Sequence, residues 1–369
     1  MPLPGVAPIL VAALPIGESN NAEDLVLDAE KILRGLIALG IQVASYSCDG
    51  TELERKVQRL LIQIADEHMT YTIPSPRGGP FSLTITIAIF NGCPVVMIQD
   101  SKHGLKTFQN NLFSGACLLV LGDWLAIYQH IHDMAFHPHS PLYQRDVERV
   151  DRQDDNAACR LFSSHSMAHL TTEHPQFIGE AVYLFVFGEL IDAYQNRHVS
   201  LSERLKMLLR TYYFVTMWRV FLDRCKYPAT CHFVSREAAD IIQTLITGLI
   251  GLILVYRDFY NTSTPFPLLP WLHLTEPCEH TFGTARQQVA DFTITDFYHM
   301  ITKLRVKIRN AVILAEISNA KKTASGYNHT YVHSRNLDLF ALSTYPQQSD
   351  LPPHFRCCYG RGKIGRAHV

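Results

Sequence analysis

An excess of charge of either sign is missing from this chain. Lysine and arginine number 33 against 34 aspartates and glutamates, a net charge of −1. That balance excludes a dedicated basic nucleic-acid-binding domain, though not a local basic patch. Cys-x-x-Cys pairs are also missing. The cysteines are scattered, and Cys225, Cys231 and His232 match no zinc-module spacing, so the set reads as reduced thiols of an intracellular protein. The apolar first sixteen residues lack a basic leader and carry four prolines, so no signal peptide is expected. The longest apolar run, 241–256, stops short of the roughly 20 residues a bilayer span needs, and it holds Gln243, Thr244 and Thr247. It reads as a buried core helix, and no membrane partner is expected. There is no Walker-type glycine loop and no repeat of 20–50 residues.

What is present is core material. The chain has 369 residues, of which 47% are hydrophobic and 18% charged. Two or three domains are expected at roughly 150 residues each. The first third alternates between elements. Residues 8–14 read as a short buried strand. Asn21, with Asp24 three residues on, marks a helix start, and Gly40 stands at its end. Residues 41–48 read as a strand ending at Asp49-Gly50. Leu53, Val57, Leu60, Leu61 and Ile64 line a second helix. After a Pro/Gly loop at 74–80, Leu83, Ile85, Ile87 and Ile89 alternate as a strand. Asn91-Gly92 is placed to close a hairpin onto 94–98, or to interrupt a single strand. That run ends at Gln99-Asp100, with a helix from Lys102.

From about 113 to 265 the pattern is helical throughout. Ala158, Leu161, Phe162, His165 and Ala168 form one stripe; Leu205, Leu208, Leu209 and Tyr212 form another. A last helical region runs over 276–317, with Phe297, Ile301, Leu304 and Ile308 on one face, and the sequence after Lys321 is polar. His130, His132, His137 and His139 crowd together but have no second cluster beside them in sequence. They read as surface or partly buried side chains.

Three acids stand at informative places. Asp49 and Asp100 end strands, and Glu279 opens a helix far downstream. Carboxylates converging from distant sequence build sites for Mg²⁺ or Mn²⁺, and paired ions stabilise both the attacking and the leaving oxygen in phosphoryl transfer. An Asp before Gly at a strand end is also common turn chemistry. Lys303, Arg305, Lys307 and Arg309 alternate with apolar residues and present bases that are either phosphate contacts or a solvated helix face.

At these residues the chain resembles the P-element and THAP-type DNA transposases. Ser47-Cys48-Asp49-Gly50-Thr51 is similar to that family's Cys-Asp-Gly strand end. Gln99-Asp100-Ser101-Lys102-His103-Gly104-Leu105-Lys106, followed by Asn110-Asn111-Leu112, resembles its D-x-x-H-x-x-K…R-N-x-L motif, with Gln109 where arginine is usual. Residues 150–170 resemble its first inserted helix. Leu274-Thr275-Glu276-Pro277-Cys278-Glu279-His280-Thr281-Phe282-Gly283, with Arg286, resembles its last acidic block. The blocks keep the family order over 8–310, most nearly in the form found in transposase-like proteins of mushroom-forming fungi.

The resemblance implies an α/β fold, RNase H-like, incomplete and interrupted by a large all-α insertion, so that helix dominates overall. Residues 1–112 would be the partial core from strand 3 onward and 113–265 the helical insertion. Residues 266–318 would carry the last acidic motif, and 319–369 would be a polar, disordered tail. It implies Mg²⁺- or Mn²⁺-dependent strand cleavage and joining on DNA, in the nucleus, with Asp49 and Glu279 as metal ligands. Asp100, His103, Lys106 and Arg286 would support the site, and Lys303, Arg305, Lys307 and Arg309 are the candidate DNA contacts. The strand–helix order before Asp49 makes its strand the fourth of that fold. The first two strands and the first catalytic aspartate would then be absent, and strand four would keep an open edge. The expectation is a catalytically inactive remnant that binds metal weakly. Two alternatives stay open: an active nuclease or transposase using Asp49, Asp100 and Glu279 as a full triad, or a non-catalytic module whose helical block binds another protein.

Overall fold

The first helix starts where its cap dictates. Asn21 Oδ1 accepts from the Asp24 N–H, and the Asp24 carboxylate accepts from the Asn21 N–H, opening α1 (Ala22–Ala38). This reciprocal pair satisfies two N–H groups that a helix start leaves open. Gly40, at φ +77°, lets the chain leave the helix. In the computed structural model the described residues are 8–17, 20–75, 78–148, 154–260 and 267–317.

β1 (Ser45–Cys48) is followed by α2 (Glu52–Ile64), which Thr51 and Glu54 open with a second capping box. β2 (Glu67–Ile73), β3 (Leu83–Phe90) and β4 (Cys93–Gln99) form an antiparallel meander, and β4 also pairs with β1 in parallel. The order across the sheet is β1-β4-β3-β2. The two-residue turn between β3 and β4 has positive φ at both Asn91 (48°) and Gly92 (78°). That geometry matches the natural strand twist, so the hairpin reading holds. β1, α2 and β4 thus make a parallel crossover, with the β2–β3 pair inserted before its second strand. β1 lies at the sheet edge.

Alternate residues of β3 and β4 divide between two cores. Ala88, Phe90, Val95 and Met97 meet Val26, Leu33, Val57 and Leu61 of α1 and α2. On the other face Leu83, Ile85, Ile87, Val96 and Ile98 join a larger core shared with the helical block. That block comprises α3 (Ser101–Phe113), a hairpin of β5 (Leu119–Leu121) and β6 (Trp124–Ala126), α4 (Tyr128–Ala135), α5 (Gln144–Glu148), α6 (Asp155–Leu161), α7 (Ser164–Glu173), α8 (Ile178–Gln195), α9 (Leu201–Arg224), α10 (Ala229–His232) and α11 (Arg236–Val255). α12 (Glu276–Arg286) and α13 (Ile294–Ile317) complete the described chain.

α11 lies directly on β4. A Cβ at Gly248 would fall 3.0 Å from the Met97 carbonyl and 2.8 Å from Ile98 Cδ1, so a larger residue would have to shift Ile98 and press on the strand. The helical stretch Arg236–Tyr260 is long and apolar enough to cross a membrane by length and composition, with mean hydropathy 2.0. Here 72% of its most apolar window is buried inside the protein. It is the core helix expected for 241–256.

The structure corrects several expectations. Residues 8–14 are not a buried strand: they are irregular, with Ile9 78% and Val11 56% exposed. Leu10 and Ala13 pack on the small cluster of Ala285, Phe297, Met300 and Leu304 instead, and Tyr298 donates to the Ala13 carbonyl at 2.9 Å. The strand expected over 41–48 is confined to Ser45–Cys48. β2 was missed because it is a polar edge strand that buries only Tyr71 and Ile73. The β5–β6 hairpin breaks the all-helical reading of 113–265; its strands are too short for periodicity to register. The stripe over 158–168 is split between α6 and α7. Ser166, His169 and Leu170 are buried there, whereas His165 and Ala168 are exposed. The region 276–317 is two helices. The tail at 319–369 lies outside the described residues.

Candidate acidic site at the strand ends

Parallel pairing of β1 with β4 sets Cys48 opposite Gln99, so the two strands deliver Asp49 and Asp100 at the same end of the sheet. The motifs interlock there. Gly50 has φ +97°, and a Cβ on it would meet Gln99 Nε2 at 1.9 Å. Gln99, fully buried, donates from that nitrogen to the Asp49 carbonyl at 2.7 Å. The glycine after Asp49 is therefore needed both for its backbone conformation and for the Gln99 side chain. Arg55, buried on α2, donates to the Gly50 carbonyl and to Glu237 at the start of α11.

Asp100 has a structural task. It is 2% exposed and forms the N-cap of α3, with Oδ1 accepting from the Lys102 N–H at 2.8 Å. Oδ2 accepts from the Thr275 N–H at 2.9 Å and from its hydroxyl at 2.6 Å. One carboxylate thus caps one helix and ties down the residue before α12, which carries Glu279. Lys102 Nζ reinforces the junction 3.2 Å from Glu276.

α3 presents its first turns to the acids. His103 Nδ1 lies 3.3 Å from Asp49 Oδ1. This contact holds the Asp49 carboxyl below the usual carboxylate range and raises His103, against the opposing effect of burial on each. One turn on, Lys106 Nζ sits 3.0 Å from Asp155 Oδ1. Burial pulls Lys106 down, but Asp155, Glu279 and Asp49 together raise it. Glu279, exposed but partly shielded by its neighbours, is pushed the other way, toward protonation, by that partial burial and then by Asp100, with Asp155 and Asp49 adding and Lys106 opposing. Asp49, Asp100, Asp155 and Glu279 therefore share one electrostatic neighbourhood with His103 and Lys106. A groove of about 400 Å³, lined by His103, Lys106, Asn110, Asn111, Ser235 and Glu237 among others, opens beside it.

The remaining expected residues fall elsewhere. Arg286 is exposed in the last turn of α12, two turns beyond Glu279. Lys303, Arg305, Lys307 and Arg309 are all exposed on α13. Asp155, which meets Lys106, stands in no motif of the sequence. Nothing local shows that α6 packs against α3. Gln99, Arg55 and Thr275 were missed as well, since their roles arise from contacts distant in sequence.

The residues present do not make a closed two-ion centre. Both oxygens of Asp100 are taken by backbone and hydroxyl donors, one oxygen of Asp49 faces His103, and Glu279 is exposed. Among the described residues, no group of three or more His, Cys, Asp or Glu side chains is placed to hold a metal ion.

No protein-family model matches the sequence, and no curated protein sequence is similar to it. Among solved structures, the chain is similar to the Drosophila P element transposase strand transfer complex, with a TM-score of 0.53 and 14% sequence identity. The match covers 83% of this chain and 66% of that one, just under two thirds of its length. At that identity the likeness is one of fold: a P-element-transposase-like architecture.

Proposed function

We propose that the chain is a transposase-derived protein in which an RNase H-like core, split by the helical block, keeps the framework of a strand-transfer site without an active metal centre. The observation that carries this reading is the junction of Asp49, Asp100 and α12. Acids from two strand ends and a far-downstream helix meet beside β1 and β4, in a chain whose fold is like that of a P element transposase. Asp100 is committed to the Thr275 latch, so Asp49 and Glu279 are left as the carboxylates able to meet an ion. Hard carboxylate oxygens suit Mg²⁺ or Mn²⁺, but two such groups, with Lys106 in range of both, favour weak binding. DNA is the partner this origin implies, in the nucleus, with the exposed bases of α13 as backbone contacts.

The test is Mn²⁺ calorimetry on the chain, on Asp49→Asn and on Glu279→Gln, alongside a strand-cleavage assay. Weak binding, weakened further by either substitution, and no cleavage, is the expected result. Tight uptake of two ions, abolished in both variants, would overturn the inactive reading and favour the full-triad enzyme.

A further inference from the structure

Two cysteines far apart in sequence come together at the rim of the groove beside the acidic site. Cys117 lies in the turn between α3 and β5, and Cys231 lies in α10. The Leu118 N–H donates to the Cys231 carbonyl at 2.8 Å, and His232 Nδ1 meets the Leu118 carbonyl at 3.3 Å. A hydrogen bond from the residue after Cys117 to Cys231 itself holds the two Cα atoms within about 7.5 Å by standard backbone dimensions. Disulfides span Cα separations of about 4.4–6.8 Å. The side chains converge as well. Cys117 Sγ donates to the Thr230 carbonyl at 3.5 Å, and Cys231 Sγ lies 3.8 Å from the Thr230 hydroxyl. Both sulfurs thus flank one residue. Burial pushes the Cys117 thiol up and Cys231 adds to that, the effect expected of a second thiol close by. Both are free thiols, Cys117 half-buried and Cys231 exposed.

We infer that Cys117 and Cys231 form a reversible disulfide under oxidising conditions, with a small-molecule disulfide such as oxidised glutathione as the oxidant. Cys231, the accessible thiol, loses its proton and attacks first. A bond forms between its Sγ and one glutathione sulfur, the S–S bond of the oxidant breaks, and one glutathione leaves as a thiolate that takes up a proton. Cys117 then loses its own proton and attacks Cys231 Sγ, which expels the second glutathione in the same way. Two protein thiols are oxidised and one small disulfide is reduced to two thiols. At a reducing poise the reverse exchange restores the thiols, so the pair is compatible with a set of cysteines that is otherwise reduced. The bond has a structural consequence. Cys117 lines the groove together with His103, Lys106, Asn111 and Ser235. Asn111 of α3 already accepts from the Ser235 N–H at 2.7 Å, where α11 begins. A disulfide between Cys117 and Cys231 joins the same two walls covalently. The inference rests on the positions of the two thiols and is independent of any metal or DNA at the acidic site.

The experiment equilibrates the full chain in glutathione buffers of rising oxidised share, traps free thiols with N-ethylmaleimide, and maps tryptic peptides without reduction. The expected product is a bond between peptides 107–145 and 227–236, each of which holds a single cysteine, with two of the nine cysteine thiols lost. Oxidation should also slow amide exchange at Leu118 and raise the melting temperature by at least about 3 °C. Cys117→Ser and Cys231→Ser should each abolish the bond. Cys225→Ser, exposed and near Cys231 in sequence, should leave it intact. Cys231 is exposed, so its variant keeps the test open should Cys117→Ser fail to fold, as judged by circular dichroism. A folded chain that keeps all nine thiols in fully oxidised glutathione, or that carries only mixed glutathione adducts, would overturn the proposal. So would a bond from Cys231 to Cys225, or one that forms only between two chains.

Discussion

Asp100 shows how a residue's type can be legible while its task is not. An aspartate at a strand end beside a motif reads equally as catalyst or cap. Here it is a cap and a latch, satisfied on both oxygens. Asp100→Ala should therefore destabilise the protein by about 3 kcal/mol in urea unfolding, the sum of a lost N-cap and lost bonds to a charged acceptor. Asp100→Asn, which keeps an acceptor, should recover part of that. The Asp49–His103 contact makes a second prediction at this scale. His103 is raised in the fold, so its contribution is complete below its unfolded pKa and is lost as pH rises through the folded value. Asp49 is lowered, so its contribution is present above the ordinary carboxylate range and lost as pH falls through the folded value. The stability difference between the protein and Asp49→Asn should peak near about pH 5–6 and shrink above neutrality. Asp49 is 45% exposed, which limits the difference to below about 1 kcal/mol. A difference that grew with rising pH would contradict this pairing.

Among the elements, one close approach of a glycine to another backbone left no sign in the sequence. At the start of α8, a Cβ on Gly179 would fall 2.1 Å from the Leu125 carbonyl in β6. The next residue, Glu180, is fully buried and accepts from the Ile127 N–H at 2.8 Å, where α4 begins. One helix start thus seats both the hairpin and the following helix. Gly179→Ala should push β5–β6 away from α8. The expected loss is about 1–3 kcal/mol, the usual range for overpacking, with faster amide exchange over 119–126 as a local signature. Unchanged exchange there would show that the contact does not hold the hairpin. Helix ends marked by their own chemistry, such as Asn21 with Asp24 or Gly40, were legible because a cap is satisfied within three or four residues. A break at Asn91-Gly92 was legible for the same reason, and the β3–β4 pairing decided that it closes a hairpin. β2 and the β5–β6 hairpin were not, because an edge strand and three-residue strands carry little period-2 signal.

Across the whole molecule, the sheet and the helical block share one apolar core, and α11 is its axis. Leu249 and its neighbours on α11 are fully buried, in the same cluster as Ile85 and Ile98 of the sheet. Leu249→Ala should lower stability by about 2–5 kcal/mol. The sheet and the helices should unfold in a single transition when followed by circular dichroism and by tryptophan fluorescence. Two separated transitions would mean that the helical block is an independent unit. The composition signalled a large core and the run at 241–256 signalled its central helix, because apolar residues must be buried wherever they end up. It did not signal that this helix would press on β4 through Gly248 and Gly251.

By itself the sequence determined most helix starts and stops, the break at Asn91-Gly92, the buried status of α11 and the acids worth watching. These depend on side chains within a few positions of one another, or on total apolar content. Only the tertiary structure decided which acid is free and which is a latch. It also brought Asp155 to Lys106 and Thr275 to Asp100. Each of those outcomes rests on contacts between residues far apart in the chain, and no pattern local to one segment encodes them.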